Sequence, residues 1–315
     1  MHFLLYIAIP FVVYILLPVI FVLQMWLSNT ASFWKWLIEC ILFGTYILDI
    51  FLSGVWPLTC GYFVRYIVLV IFIFVAIKSF FNVDRSLSLK FLDLKQTILS
   101  FVYIGIICLF SIRIVLALNG KFYSEIPVEL DFPLKGKSFY VAHGGANQVI
   151  NHHYPVSSQK YAVDIMGMNV LGFRAKTLYP TNLKDFFIFN ETVYSPCDGV
   201  VIEAMDEYEN MEPRKMDPLH PLGNYLAIKK CESDVTIILA HLMKDSLTVK
   251  KGSTVNRGQS IAKVGNSGNT SEPHLHIHAI LGCSKNTFLF NGIGVPMTFN
   301  NKFLVRNNTV KARNF

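Results

Sequence analysis

The sequence predicts two parts of different fold class: an α-helical region of four transmembrane helices, followed by an all-β domain built as an antiparallel sheet sandwich or groove. Three observations lead there. Residues 1–118 are nearly all apolar and fall into four runs, each close to the ~20 residues that cross a bilayer as a helix. Residues 119–315 carry short apolar stretches separated by Gly, Pro and Asn, with no long amphipathic helix and no repeat. One of those stretches, His274-Leu275-His276-Ile277-His278, alternates with period two, which is the mark of a strand with every second side chain on one face.

The chain has 315 residues, room for two domains at ~100–200 residues each. Hydrophobic residues make up 53%, and the excess is concentrated at the start. The expected division is a membrane region over 1–118, a linker over 119–129 and a β-rich domain over 130–315. The formal net charge is +7, and from residue 119 onward 21 Lys and Arg stand against 17 Asp and Glu. That excess is mild and forms no basic block, so nucleic acid is not an expected partner.

The four runs are Phe3–Leu27, Trp34–Trp56, Tyr62–Phe81 and Thr97–Leu118. The first is too long for a signal-peptide core and lacks a basic start. Pro10 and Pro18 within it are tolerated in membrane helices. Lys35 lies in the first connection, and Lys78, Arg85, Lys90 and Lys95 lie in or beside the third, whereas the other side offers Arg65 and Lys121. The positive-inside rule places the richer connections in the cytoplasm. Both termini, and the domain from residue 119 onward, are then expected outside. Asp49 and Arg113 fall within spans, where either alone costs at least ~2.5–3.5 kcal/mol. A pairing of Asp49 with Arg113 or with Arg65 relieves that cost, and a structural pair is the expected reading.

Strands are expected at Ser138–Ala142, Tyr161–Ile165, Gly199–Ala204, Tyr225–Lys229, Val235–Ala240, Ser260–Val264 and His274–Ile280, many of them rich in β-branched or aromatic residues. Residues 166–192 and 205–222 read as long irregular segments, of the kind that often rim a binding groove. Cys40, Cys60 and Cys108 read as small hydrophobes. Cys197, Cys231 and Cys283 form no CxxC pair, so a cysteine zinc site is not expected, while one disulfide among the three is open.

His274, His276 and His278 are expected on one face. Imidazoles at i and i+2 stand about 6.5–7 Å apart along a strand, which reads as too far for a mutual hydrogen bond. That spacing suits one ring on a metal and its neighbour beside the reacting water. Upstream, Thr236–Leu242 is an apolar strand running into His241, Tyr161–Asp164 ends in a carboxylate, and Asn151-His152-His153 precedes it. Two His and one carboxylate with an open position is a hydrolytic zinc arrangement, in which the metal brings the pKa of a bound water down to about 7.

The order Tyr161–Asp164, Ser195–Gly199, Gly223-Asn224, Ala240-His241-Leu242, Gly258-Gln259 and Gly265–His276 resembles the lysostaphin/LytM-type zinc metallopeptidases, over roughly Leu130–Gly282. The resemblance implies a lysostaphin-like β-rich domain with one Zn2+ per chain and hydrolysis of peptide bonds, mostly in peptidoglycan. It also fits a protein of the cytoplasmic membrane with its C-terminal domain on the extracytoplasmic face. By position, Asp164 and His276 match zinc ligands, and His241 and His274 match the two non-ligand histidines that orient water and stabilise the transition state. The family's usual first ligand lies four residues before the Asp, where this chain has Lys160. A subgroup with Asn-x-His further upstream makes His153 the ligand, with His152 as the alternative. Adjacent residues on an extended chain face opposite ways, so both are not expected to ligate.

The expected partners are a peptidoglycan peptide or other extracytoplasmic peptide and membrane lipid, and the spans are available to a membrane-protein partner. The competing readings are a catalytically inactive binding or regulatory module, prompted by Lys160, and a transporter or channel formed by the spans. The latter lacks the polar intramembrane cluster such a pathway usually needs. His278 reads as structural. His143 and His220 read as surface loop residues, with His220 near enough to Gly223 to touch substrate. Asn266, Ser267 and Asn269 read as shaping the turn that presents His274.

Overall fold

The computed structural model describes residues 7–27, 33–83, 94–281 and 292–312. Arg85, Lys90 and Cys283, used in the expectations above, lie outside them. The chain divides into two compact units, Met1–Leu118 and Asn119–Phe315.

The first unit is helical. Its helices run over Ile9–Leu27, Phe33–Ser53, Val64–Phe80 and Leu94–Asn119. Among the described residues three helices, not four, are long and apolar enough to cross a membrane: Ile9–Leu27, Phe33–Ser53 and Ile98–Asn119. The expected third span is present as Val64–Phe80, but its 17 residues rise only about 25 Å, against a hydrocarbon core of about 30 Å. The helices meet through Met25, Phe43, Tyr46, Ile47 and Phe72. Val70, Phe74, Phe101 and Ile112 instead point outward, as expected where lipid rather than water is the surroundings. Asp49 is buried and accepts from Arg113 Nε at 3.1 Å through both carboxylate oxygens, while Arg113 Nη2 reaches Ser53 Oγ at 3.3 Å. Arg65 is not Asp49's partner; its guanidinium lies over the Phe51 ring, 4.1 Å from the centroid.

The second unit is β-rich. Its strands are β1 (Val128–Leu130), β2 (Ser138–His143), β3 (Val163–Met168), β4 (Thr192–Tyr194), β5 (Gly199–Met205), β6 (Asn224–Lys230), β7 (Val235–Leu242), β8 (Thr254–Val255), β9 (Ser260–Lys263), β10 (Leu275–Leu281), β11 (Ile293–Val295), β12 (Met297–Phe299), β13 (Lys302–Phe303) and β14 (Thr309–Lys311). The main antiparallel sheet has the order β14-β2-β3-β10-β7-β6-β5-β8, with β11 continuing along one edge of β10. β4 pairs with β9 apart from it, and β1 lies parallel to β12. Residues 119–129, expected as a linker, pack on this unit. Gly120 O accepts from Ala146 N at 2.7 Å, and Glu125 meets Lys160 Nζ at 2.8 Å and the Tyr161 hydroxyl at 2.5 Å.

Alternation assigns the two faces of the sheet. Val163 and Ile165, Ile237 and Leu239, and Leu275 and Ile277 enter the main core with Phe139, Val193, Ile261 and Phe299. Residues between them, including Asp164, His276 and His278, therefore stand on the other face. There a smaller apolar cluster of Leu222, Tyr225, Ala227, Ile238, Ala240 and Ile280 adjoins them.

Candidate metal centre

The site is a row across the sheet. His143 of β2 is registered with Asp164 of β3, Asp164 with His276 of β10, His276 with Ala240 of β7, and Ala240 with Tyr225 of β6. Residues registered on adjacent strands stand about 4.5–5.5 Å apart, so the row brings together side chains distant in sequence. His276 Nδ1 lies 2.8 Å from Asp164 Oδ1, and His153 Nε2 lies 3.0 Å from Asp164 Oδ2.

His153 reaches the row from a loop tied by Asn151. That side chain is fully buried, and its amide donates to Gly145 O at 2.9 Å and Ala162 O at 3.1 Å while its carbonyl accepts from His153 N at 3.2 Å. Residues 152–155 form turns rather than an extended strand. The expectation that His152 and His153 face opposite ways fails for that reason, and their rings lie 3.8 Å apart. Lys160, at the position of the missing ligand, is engaged by Glu125.

His241 is presented by a β-bulge. Asn224 pairs with Leu242 and Tyr225 with Ala240, so His241 is the extra residue, with φ of 60°. Bulges re-aim a side chain in this way. Its Nδ1 donates to Ser267 O at 2.9 Å, leaving the Nε2 lone pair for the site. Ser267 is held by its hydroxyl, which donates to Leu242 O at 2.7 Å and accepts from Asn224 N at 2.9 Å. Gly223 packs here with φ of +55°, and a Cβ on it would come within 2.3 Å of the Ser267 backbone. The turn expected to present His274 thus serves His241 as well.

His274 precedes β10. Its Nδ1 donates to Glu272 O at 2.9 Å, so its Nε2 also keeps a lone pair, 3.6 Å from Asp164 Oδ1. Glu272 is in turn clamped by buried Arg174, whose Nε lies 2.8 Å from Oε1. The His241 and His274 ring centroids are 4.7 Å apart.

Two expectations are corrected on this face. His276 Nε2 and His278 Nδ1 are 2.9 Å apart, a hydrogen bond that the strand spacing was expected to exclude. That spacing describes Cα atoms, whereas two long rings on one face can lean along the strand and meet. His143 is no surface loop residue. It ends β2, its ring centroid is 3.9 Å from that of His152, and Arg306 Nη2 donates to its Nδ1 at 2.6 Å. The signal was legible, since Ser-Phe-Tyr-Val-Ala-His143 is an apolar strand running into a histidine just as Thr-Ile-Ile-Leu-Ala-His241 is. Arg306 and Arg174 left no comparable trace, because their roles depend on long-range imidazole and carboxylate partners. His220 stands apart, bonded to Asp217 at 2.7 Å and stacked near Tyr208. Cys197 and Cys231 are free thiols.

The donor set fits a metal. The ligand atoms of His153, Asp164 and His276 lie within 4.8 Å of one another. Four ligands at zinc bond lengths stand about 3.3 Å apart, so the observed pairs need separate by only a few tenths of an ångström. Burial pushes His276 down to about 4 against the pull of Asp164, and burial, reinforced by the neighbouring His274 and His276, holds His241 well below the ordinary imidazole range. Burial alone raises the Asp164 carboxyl, but His153 and His274, with hydrogen bonds from His153 and His276, outweigh it and hold it well below the usual carboxylate range. An ionised Asp164 carboxylate beside a neutral His276 imidazole supplies donors in the deprotonated form that metals require. His143, His152 and Asp164 form a second close group. There Arg306 occupies His143 Nδ1, so the ring proton sits on Nε2, which favours the His153 set.

Residues 184–286 match peptidase family M23. The matched stretch contains His241, His274 and His276 but not His153 or Asp164. The chain is 33% identical over 145 residues to the peptidoglycan DD-endopeptidase ShyA of Vibrio cholerae, covering 45% of this chain and 30% of that protein. It is 33% identical over 147 residues to ShyB of the same organism, a peptidoglycan DD-endopeptidase too, with the same coverage. The chain thus spans under a third of the length of these curated relatives. A crystal structure of a zinc-containing peptidase from Vibrio cholerae is similar at 23% identity and a TM-score of 0.31, over 57% of this chain and 44% of that one. Over this part of its length the chain is distantly related to the M23 peptidases.

Proposed function

We propose that this protein is a membrane-anchored zinc metalloendopeptidase that hydrolyses peptide bonds of peptidoglycan. The observation that carries the reading is the convergence of His153, Asp164 and His276 within ligand distance of one another, with His241 and His274 beside them and their Nε2 lone pairs uncommitted. The substrate class is supported by the two relatives named as peptidoglycan DD-endopeptidases.

His153, Asp164 and His276 would hold the ion. Bound there, zinc supplies Lewis-acid polarisation of the scissile carbonyl and a water whose pKa is brought near 7. His241 and His274, oriented by Ser267 O and Glu272 O, would accept and deliver protons through Nε2 and hydrogen-bond the developing oxyanion. Asn151 and Arg174 hold the loops that present His153 and His274.

All four helices are proposed to cross the cytoplasmic membrane, Val64–Phe80 with local thinning of the bilayer, which places the β-rich unit on the extracytoplasmic face. The charge bias of the short connections supports that orientation. The binding-module alternative was prompted by Lys160, and the 3.0 Å approach of His153 to Asp164 offers a ligand in its place. The test is digestion of purified peptidoglycan by the full-length chain in detergent, with metal analysis and with accessibility of a C-terminal tag in cells. Stoichiometric zinc, released peptides and an outward tag are expected. A metal-free protein without activity, or a cytoplasmic tag, overturns the reading.

A further inference from the structure

His278 is the least expected polar residue on this face. It is 1% exposed. Its cross-strand partner is Ile238, and the next residue on its own face is Ile280, both members of the small apolar cluster. Among the described residues its Nε2 is buried with no hydrogen-bond partner. An aliphatic side chain would fill the place without leaving a polar atom unsatisfied. The one bond His278 makes is to His276, at 2.9 Å from Nδ1 to Nε2.

That bond bears on which nitrogen of His276 faces Asp164. The ring presents Nδ1 to the carboxylate side, and a metal ligand needs a lone pair there. The ring's single proton must then sit on Nε2, and a buried N–H needs an acceptor. We propose that His278 is a positioning residue that accepts the His276 Nε2–H, thereby fixing the ring so that Nδ1 is the metal-ligating nitrogen. Ligating histidines generally donate their second nitrogen to such a partner, and removing it typically weakens metal binding 10–100-fold. Here the partner is a second imidazole on the same strand, two residues on. The unsatisfied Nε2 of His278 follows from this arrangement: once Nδ1 accepts, Nε2 must carry the ring proton into apolar surroundings.

The proposal rests on the metal reading above. The test compares zinc affinity of the full-length chain in detergent, by competition with a chromophoric chelator, for the wild type, His278→Leu and His278→Asn. The metal-free melting temperature of each is measured alongside. An Asn at this position can offer its carbonyl oxygen where Nδ1 stands. The expected result is a tenfold or greater loss of affinity in His278→Leu with no fall in metal-free melting temperature, and affinity within about threefold of wild type in His278→Asn. A packing role would lower the melting temperature and would not be rescued by Asn. Affinity in His278→Leu within threefold of wild type overturns the proposal, as does an equal loss in both variants. A wild type that binds no zinc overturns the metal reading instead, and is distinguished by the first measurement alone.

Discussion

Asp164 and His276 are opposed residues on antiparallel strands: β3 and β10 register them as a pair, and His276 Nδ1 lies 2.8 Å from Asp164 Oδ1. The geometry of the sheet, rather than a flexible loop, sets this distance, and 112 residues of chain separate the two. Asp164→Asn and His276→Ala are expected to reduce zinc from one ion per chain to none. Metal analysis of the purified variants checks this, and stoichiometric zinc in both would remove the basis for the centre.

His241 touches the same row without belonging to the carboxylate pair. Its Nδ1 is tied to Ser267 O and its ring adjoins His274. His241→Ala is expected to retain zinc and lose turnover by roughly 10²–10⁴-fold, the usual contribution of a positioned acid or base. Single-turnover cleavage with parallel metal analysis distinguishes this from loss of the ion.

Asn151 holds three backbone groups of the His153 loop from a fully buried position. Asn151→Ala leaves those groups unsatisfied and is expected to destabilise the β-rich unit by about 1–3 kcal/mol. Zinc affinity should fall with it, since His153 loses its support. Denaturant unfolding and chelator competition measure the two effects.

Glu125 bonds Lys160 and Tyr161. The Lys160 hydrogen bond, followed by that of Tyr161, lowers its carboxyl to about 2 from an ordinary value of 4.5. A folded value below the ordinary one means the stabilisation is complete above about pH 4.5 and is lost as the pH falls through about 2. Much of the group faces solvent, so the effect is small. The melting temperature of Glu125→Gln should lie slightly below wild type at pH 7, and the gap should close in acid. A gap that persists unchanged at pH 2 would mean that ionisation of Glu125 plays no part.

Much of the β-rich unit was legible before folding. The seven expected strands reappear as β2, β3, β5, β6, β7, β9 and β10 with ends moved by a few residues, because alternation of apolar and polar positions is a local pattern. The short strands β1, β4, β8 and β11–β14 were not anticipated. With two or three residues each they carry no period, and only their partners define them. The third helix was foreseen as a span because Tyr66–Ile77 is an unbroken run of apolar and aromatic residues. Its length of 17 residues depends on where the turns before and after it close, and hydropathy does not report that.

Residue type and spacing established that this chain carries an apolar helical region, a β-rich unit and a set of histidines and one aspartate suited to a metal. These are properties of neighbours along the chain, where side-chain period and turn chemistry act over a few residues. Tertiary structure decided which imidazoles share the aspartate, that His276 and His278 bond each other, and that Arg306 occupies His143. Each of those outcomes depends on strand register, a single bulge at His241 and the buried partners that fix a ring's proton. Register is settled by packing both faces of the sheet at once, and no stretch of chain contains that information alone.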